Sequence, residues 1–499
     1  MAWEGQRRIM QTVRRWSVRH ASGLNRLYRA WASIAPRIGR GIMLVSRLGL
    51  DRARIEQAIL PVERAAKGLF FDCQMCGQCV LSQTGMACPT NCGKFMRNGP
   101  CGGVRPDGTC EVKPGMTCVW VEATAGGKRL GSAALSATLP PVDHRRRGRS
   151  TWYPLLSGET IAPAPLPASP AQAEGPARER PVHSFEQAVR SGRFLITVEV
   201  APPDSADPAP LIARASKFRG LVDAINITDG AGGNCHMSSA AAAAVLAANG
   251  MTPVCQIACR DRNRIAVQGD ILGAAALGVR NILCLTGDDV SRGDHPEAKR
   301  VFDLDSVSLL RITREMRDRG TFASGRKLDS APDLFIGATA NPFVPPYADR
   351  ITNLEKKVDA GAQFIQTQFC FDLPMFESFM RTVRERELHR RCAIIVGVGT
   401  LSSAKALRWM AANVPGVHIP DAIISRIASA PDQKAEARTI LIETMQALAG
   451  IDGVAGVHLM GHRNEQTLVE AITLSGLRPA MAPSAHPLQA QFPLLQAAP

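Results

Sequence analysis

The sequence predicts an α/β protein, a (β/α)8 TIM barrel preceded by an N-terminal Cys-rich metal-binding domain. Three observations predict it. From about Ser184 onward, eight short runs of β-type residues alternate with helical segments over about 295 residues, the rhythm of a parallel barrel. Eight of the 14 Cys fall between Cys73 and Cys118. Between these regions lies Ile161–Pro181, with six Pro and many Ala, a composition that favours an extended tether.

Residues 1–66 read as a basic helical extension, with Trp16, Leu24, Leu27, Tyr28 and Trp31 at helical spacing among Arg side chains. Packing on the next domain, an amphipathic contact with an anionic membrane surface or a partner, and an organellar transit peptide are all open readings. Residues 67–122 form the Cys- and Gly-rich module, 123–183 a Pro/Ala-rich linker, 184–478 the barrel, and 479–499 a disordered Pro/Ala-rich tail. The eight predicted strands are Phe194–Val200, Ala224–Thr228, Val254–Cys259, Ile282–Thr286, Leu334–Ala338, Phe364–Phe369, Ala393–Val398 and Val457–Met460. Leu354–Ala362, Ala404–Asn413 and the Ala-rich Ser238–Gly250 read as helices between them.

Composition narrows the function. Of 499 residues, 45% are apolar, which excludes wholesale disorder. No apolar run is long enough for a membrane-spanning helix, and Gly41–Val45 is too short for a signal-peptide core, so the expected location is cytoplasmic. The net charge is +15, but residues 1–66 hold 13 Arg and four acids, +9 (13 − 4), leaving +6 for the other 433 residues. A charge so localised argues against a nucleic-acid-binding surface.

Chemistry in a barrel sits at the C-terminal ends of the strands, and polar residues collect there. Glu199 interrupts an apolar first strand, where an unpaired charge is costly; it reads either as a salt-bridged core residue or as an acid whose burial favours its protonated form. The second strand ends in Thr228-Asp229-Gly230-Ala231, and the third carries Gln256 and Cys259. The fourth ends in Thr286-Gly287-Asp288, the sixth in Gln366-Thr367-Gln368-Phe369, and the seventh in Gly397-Val398-Gly399-Thr400. Their convergence on one rim predicts a binding site.

Residues 184–475 resemble methylenetetrahydrofolate reductase. The segments that carry the resemblance are Val198-Glu199-Val200-Ala201-Pro202-Pro203, Asn226-Ile227-Thr228-Asp229-Gly230-Ala231, Leu285-Thr286-Gly287-Asp288, Asn353-Leu354-Glu355-Lys356-Lys357-Val358-Asp359-Ala360-Gly361-Ala362 and Thr367-Gln368-Phe369-Cys370-Phe371-Asp372. The resemblance implies a flavin-dependent enzyme that reduces 5,10-methylenetetrahydrofolate to 5-methyltetrahydrofolate, or runs the reverse oxidation. It puts Glu199 at the general acid, Asp288 near flavin and folate, and Gln368 on the pterin, with Arg463 a weak match to a folate-contacting Arg. Thr228, Asp229, Ala231, Gln256, Thr286, Gly287, Asp288, Asn353, Lys356 and Lys357 fall on flavin-contacting or neighbouring positions. Asp229, Gln256 and Thr286 stand where the family often has Tyr, His and Arg, which leaves FAD and FMN both open.

The cysteine spacing is Cys73-x2-Cys76-x2-Cys79-x8-Cys88-Pro89, followed by Cys92, Cys101, Cys110 and Cys118. Three Cys at intervals of three and a later Cys-Pro suit iron–sulfur ligation, with 4Fe-4S clusters expected, better than zinc, which stays open. The module resembles the cysteine-rich partner subunit that accompanies the reductase in acetogenic bacteria, fused here in front of the barrel, which implies an electron relay or a structural role. The electron source stays open between NAD(P)H and a carrier protein, and a homo-oligomer is compatible with the sequence. The competing reading is a flavin-free folate-binding partner of a methyltransferase or demethylase, with the module as a metal-binding docking unit.

Overall fold

The computed structural model describes residues 2–46, 52–131, 135–158, 183–399, 403–461 and 464–478. Eight parallel strands close into a barrel in sequence order: β1 (Leu195–Val200), β2 (Ala224–Ile227), β3 (Pro253–Ala258), β4 (Asn281–Leu285), β5 (Phe335–Ala340), β6 (Phe364–Phe369), β7 (Ala393–Gly399) and β8 (Val454–Met460). Each predicted run becomes a strand, with ends displaced by no more than three residues. The strands are buried on both faces, which is why they read as near-continuous apolar runs.

Helices α1–α5 precede the barrel: Ala2–Arg19, Ala21–Ser46, Arg52–Phe71, Val119–Leu130 and Trp152–Ser157. The short helix α6 (Ser184–Arg190) closes the barrel floor. Its Phe185 meets Phe335 and Phe364 edge-on, at ring separations of 5.7 and 5.3 Å, beneath the strand starts. The barrel helices follow as α7 (Ala209–Ser216), α8 (Ser239–Ala248), α9 (Arg264–Ala276), α10 (Ser306–Arg319), α11 (Tyr347–Ala360), α12 (Leu373–Glu385), α13 (Leu388–Arg391), α14 (Ala404–Asn413), α15 (Asp421–Ser429), α16 (Gln433–Ala449) and α17 (Glu465–Leu474). Asn263, Asp305, Asp372, Ser403 and Asp432 cap helices with side-chain acceptors, so each of these loops ends in a residue suited to its helix start.

The Cys-rich segment between α3 and α4 is built from turns, with two short 3-10 turns at Leu81–Gln83 and Pro89–Asn91. Helices α1–α5 wrap it. Arg14 pairs with Glu122 at 2.5 Å, both buried, and Glu63 accepts from Lys67, Ser150 and Thr151. Residues 123–130, expected at the head of the tether, instead complete α4, and Ala123 is buried. Their Gly and Ala content read as linker, but a Cβ on Gly126 would sit 1.9 Å from the Gly85 carbonyl, so the small residue serves close packing. The expected tether core at 159–182 and the tail at 479–499 lie outside the described residues.

The module sits on the C-terminal rim of the barrel. Asp305, the cap of α10, accepts from the backbone N–H of Arg97 (3.0 Å) and Asn98 (2.7 Å). Asn341 donates to the Gly102 carbonyl at 2.8 Å, Arg350 to that of Cys101 at 2.7 Å and Asn353 to that of Asn98 at 3.1 Å. Among the described residues no helix is long and apolar enough to cross a membrane.

Candidate active site

A cavity of about 640 Å³ opens at the C-terminal rim. Glu199 on β1, Thr228, Asp229 and Ala231 after β2, Gln256 on β3, Thr286, Gly287 and Asp288 after β4, Asn353 and Lys357 on α11, and Gln368 on β6 all line it. Segments spread over about 170 residues of sequence thus reach one space because barrel topology brings every strand end to the same rim.

Glu199 is not sealed inside the strand. Its side chain is 28% exposed, Gln256 Nε2 donates to Oε2 at 3.3 Å, and the His458 Nε2 stands 4.0 Å away. Asp229 is locked: its carboxylate accepts from Arg262 at 2.6 Å and from the Ala258 N–H at 2.8 Å. Asp288 accepts from the Gly232 N–H at 2.9 Å, tying the β2 and β4 loops together. Gly287 has φ +92, a backbone conformation that favours glycine. Gln368 accepts from the Phe369 N–H at 3.0 Å. Thr286 accepts from the Ser306 N–H at 3.2 Å.

Lys356 and Lys357 are both buried. Only Lys357 lines the cavity, donating to the Thr339 carbonyl at 2.6 Å. Burial, with Arg350 close by, pulls Lys357 down to about 8, and burial does the same to Lys356. Arg463 lies outside the described residues, as does Thr400.

Several cavity residues escaped the sequence reading. His458 on β8 is buried, with Nδ1 2.9 Å from the Thr197 hydroxyl, and Gln366 joins Thr197 and Asn226 in the same network. His458 interrupts an apolar run just as Glu199 does, so the same logic finds it. Lys94, Cys101 and Glu111 come from the Cys-rich module and line the cavity too. Lys94 Nζ donates to the Gly287 carbonyl at 2.7 Å and pairs with Glu111 at 2.5 Å. Burial works to lower the Lys94 pKa, but Glu111, Cys101 and Asp288 outweigh it and hold the ammonium above the ordinary lysine value. Cys101 was read only as a metal ligand, and nothing in local periodicity marks Lys94 or Glu111, because only the docking of the module brings them here.

The eight clustered Cys separate into two sets. Cys73, Cys76, Cys79 and Cys88 line one small cavity, and Cys92, Cys101, Cys110 and Cys118 line another. Each set has a buried Lys–Glu pair beside it, Lys67–Glu63 and Lys94–Glu111. Among the described residues no three His, Cys, Asp or Glu converge as a site for a metal ion. A four-iron cluster differs from a lone ion in holding its thiolates apart around a cube, and four Cys about a small cavity fit that donor set. Burial pushes Cys73 up to about 11 and Cys88 and Cys118 up to about 12, so without a metal these are inert thiols.

A family profile described as methylenetetrahydrofolate reductase matches residues 184–476, the whole barrel. The chain belongs to the methylenetetrahydrofolate reductase family. A second profile, methylene-tetrahydrofolate reductase C terminal, matches residues 53–145, across the Cys-rich module. Methylenetetrahydrofolate reductase 2 of Schizosaccharomyces pombe is 27% identical over 214 residues, 42% of this chain and 33% of that protein. A probable methylenetetrahydrofolate reductase (NADPH) of Caenorhabditis elegans is 28% identical over 192 residues, 38% of this chain and 26% of that one. The chain thus spans a third or less of these two relatives. The 5,10-methylenetetrahydrofolate reductase of Pectobacterium carotovorum is 24% identical over 326 residues, 61% of this chain and 98% of that protein. A solved Clostridium thermocellum protein described as binding two copies of 5-methyl-5,6,7,8-tetrahydrofolic acid aligns at 13% identity and a TM-score of 0.41, over 59% of this chain and 98% of that one.

Proposed function

We propose that this family member is a flavin-dependent enzyme interconverting 5,10-methylenetetrahydrofolate and 5-methyltetrahydrofolate, with the Cys-rich module as its electron relay. The observation that carries the reading is one cavity lined by Glu199, Asp288 and Gln368 together with the buried Thr228 hydroxyl, which has no hydrogen-bond partner among the described residues. An orphaned buried hydroxyl signals a polar group that belongs there, and a flavin ring edge or phosphate fits. Thr228, Ala231, Gln256, Gly287, Asn353 and Lys357 would hold it, and bound flavin supplies the hydride exchange.

The chain's own residues would do the rest. Opening the five-membered ring of the substrate leaves a cationic N5 iminium and a departing N10 that needs a proton. Glu199 faces the cavity, where it can pass a proton to N10; Asp288 favours positive charge nearby; Gln368 keeps its amide NH2 for the pterin. The module would serve through its second Cys set, since Cys101 borders both the cavity and its own set. Among electron sources, a one-electron carrier protein suits such a relay better than NAD(P)H, which gives up a hydride. This also agrees with the module's resemblance to the acetogen partner subunit.

Anaerobic purification followed by visible spectroscopy and metal analysis tests the reading. Flavin absorbance and about eight iron atoms per chain are expected if both sets hold four-iron clusters. Glu199→Gln should abolish folate turnover while flavin stays bound. Wild-type turnover in that variant would sink the assignment; stoichiometric zinc without iron would remove the relay; absence of flavin would favour the folate-binding partner reading.

A further inference from the structure

We infer that the outer face of α2 docks this protein on an anionic lipid bilayer surface. Among its described side chains, the inner face of the helix is packed against the rest of the protein. Ala21 and Ala35 are completely buried, and Ala21 and Leu24 pack in a cluster with Cys79 and Cys88 of the first Cys set. A Cβ on Gly39 would fall 1.6 Å from the Leu156 carbonyl, so α2 lies hard against α5. The arc beside it is open. Leu27, Ile34 and Ile38 are 69, 48 and 44% exposed. At 100° per residue these three fall within about 40° of one another and form a stripe about 16 Å long.

The stripe has a one-sided basic flank. Arg26 and Arg37 are exposed about 80–100° round the helix from it, with exposed Arg29 and Arg40 beyond them, and no Asp or Glu occurs in the sequence from Gly5 to Leu50. A merely solvated helix face mixes both charge signs and leaves apolar residues scattered singly. A row of aliphatic side chains beside a row of Arg matches a lipid interface, where the apolar row enters the acyl boundary and the guanidinium groups meet phosphate. A nucleic acid would leave the aliphatic row without a partner. A second copy of this helix would set Arg against Arg with no acid to answer it. The helix is also not a spanning segment. Since its inner face touches Cys79 and Cys88, docking would hold the first Cys set about one helix diameter, roughly 10 Å, from the bilayer.

Co-sedimentation of the full-length protein with vesicles tests this, comparing phosphatidylcholine alone with phosphatidylcholine containing about 30% phosphatidylglycerol. Binding to the anionic vesicles is expected, with loss of binding as salt rises. L27S/I34S/I38S and R26E/R37E should each weaken it at least about tenfold, while thermal melts stay those of the parent. The two variants guard each other, since one removes only apolar area and the other only charge. Equal binding to both vesicle types, or no binding to either, overturns the inference. So does a concentration-dependent dimer abolished by L27S/I34S/I38S, which would assign the stripe to a second copy, or retained vesicle binding by both variants.

Discussion

Glu199 can deliver a proton only if its carboxyl is aimed into the cavity, and two buried side chains stand over it. Gln256 donates to it, and His458, fixed through Nδ1 by Thr197, turns Nε2 towards it at 4.0 Å, room for contact through motion or a water but too long for a direct bond. His458→Phe keeps a ring of similar size and removes both nitrogens. Turnover should fall about 10- to 100-fold with an altered pH–rate profile, and loss of the hydrogen bond to Thr197 should cost about 0.5–1.5 kcal/mol in a urea titration. A stability loss with an unchanged pH profile would make His458 structural only. Lys357 gives a second expectation. Burial lowers it to about 8 from an ordinary 10.5, so its charge is present below that pH and lost above it. An anionic ligand such as flavin phosphate should therefore bind the apo-protein more tightly near pH 7 than near pH 9, read by fluorescence quenching, and Lys357→Met should flatten the dependence. The unfolded chain keeps the Lys357 proton up to 10.5, so the apo-protein's stability should rise between pH 8 and 10.5 from this group. Glu199 was legible in sequence because a charge in an apolar strand demands a reason, and Gln368 because it stands at a strand end inside the segment that carries the family resemblance. Lys94 was not, because its partners Gly287 and Asp288 lie about 190 residues away.

At the scale of elements, the strands were legible because parallel strands buried on both faces leave short runs of β-branched and apolar residues between helices. Helix α4 was hidden, because Ala and Gly serve a flexible tether and a tight helix contact equally well. Gly126 shows what was missed. In an isolated helix Gly→Ala would gain about 1 kcal/mol. Here the added Cβ would stand 1.9 Å from the Gly85 carbonyl, so α4 must retreat from the loop that runs on to Cys88. Gly126→Ala should therefore destabilise by about 1–3 kcal/mol, the usual cost of overpacking, and should raise amide exchange across residues 81–92. A stabilised variant would show that α4 and the Gly85 loop are not in firm contact.

For the whole molecule, the question is what joins a Cys-rich module to a barrel whose connecting residues read as tether. Net charge does not join them, since the excess lies in the first 66 residues. One buried carboxylate does much of it. Asp305 caps α10 through the Ser308 N–H at 2.9 Å and also receives the Arg97 and Asn98 N–H groups, so a single side chain finishes a barrel helix and anchors the module. Asp305→Ala leaves those module N–H groups without their acceptor, at a cost of about 2–5 kcal/mol. Losing a helix cap alone costs about 1 kcal/mol, and Ser403→Ala, at the α14 cap, supplies that control. The parent and Ser403→Ala should melt in one transition. Asp305→Ala should melt in two, module first, and proteolysis should cut it faster between α5 and α6. A single Asp305→Ala transition, lowered no further than that of Ser403→Ala, would mean that Asn341, Arg350 and Asn353 suffice to hold the module on the rim.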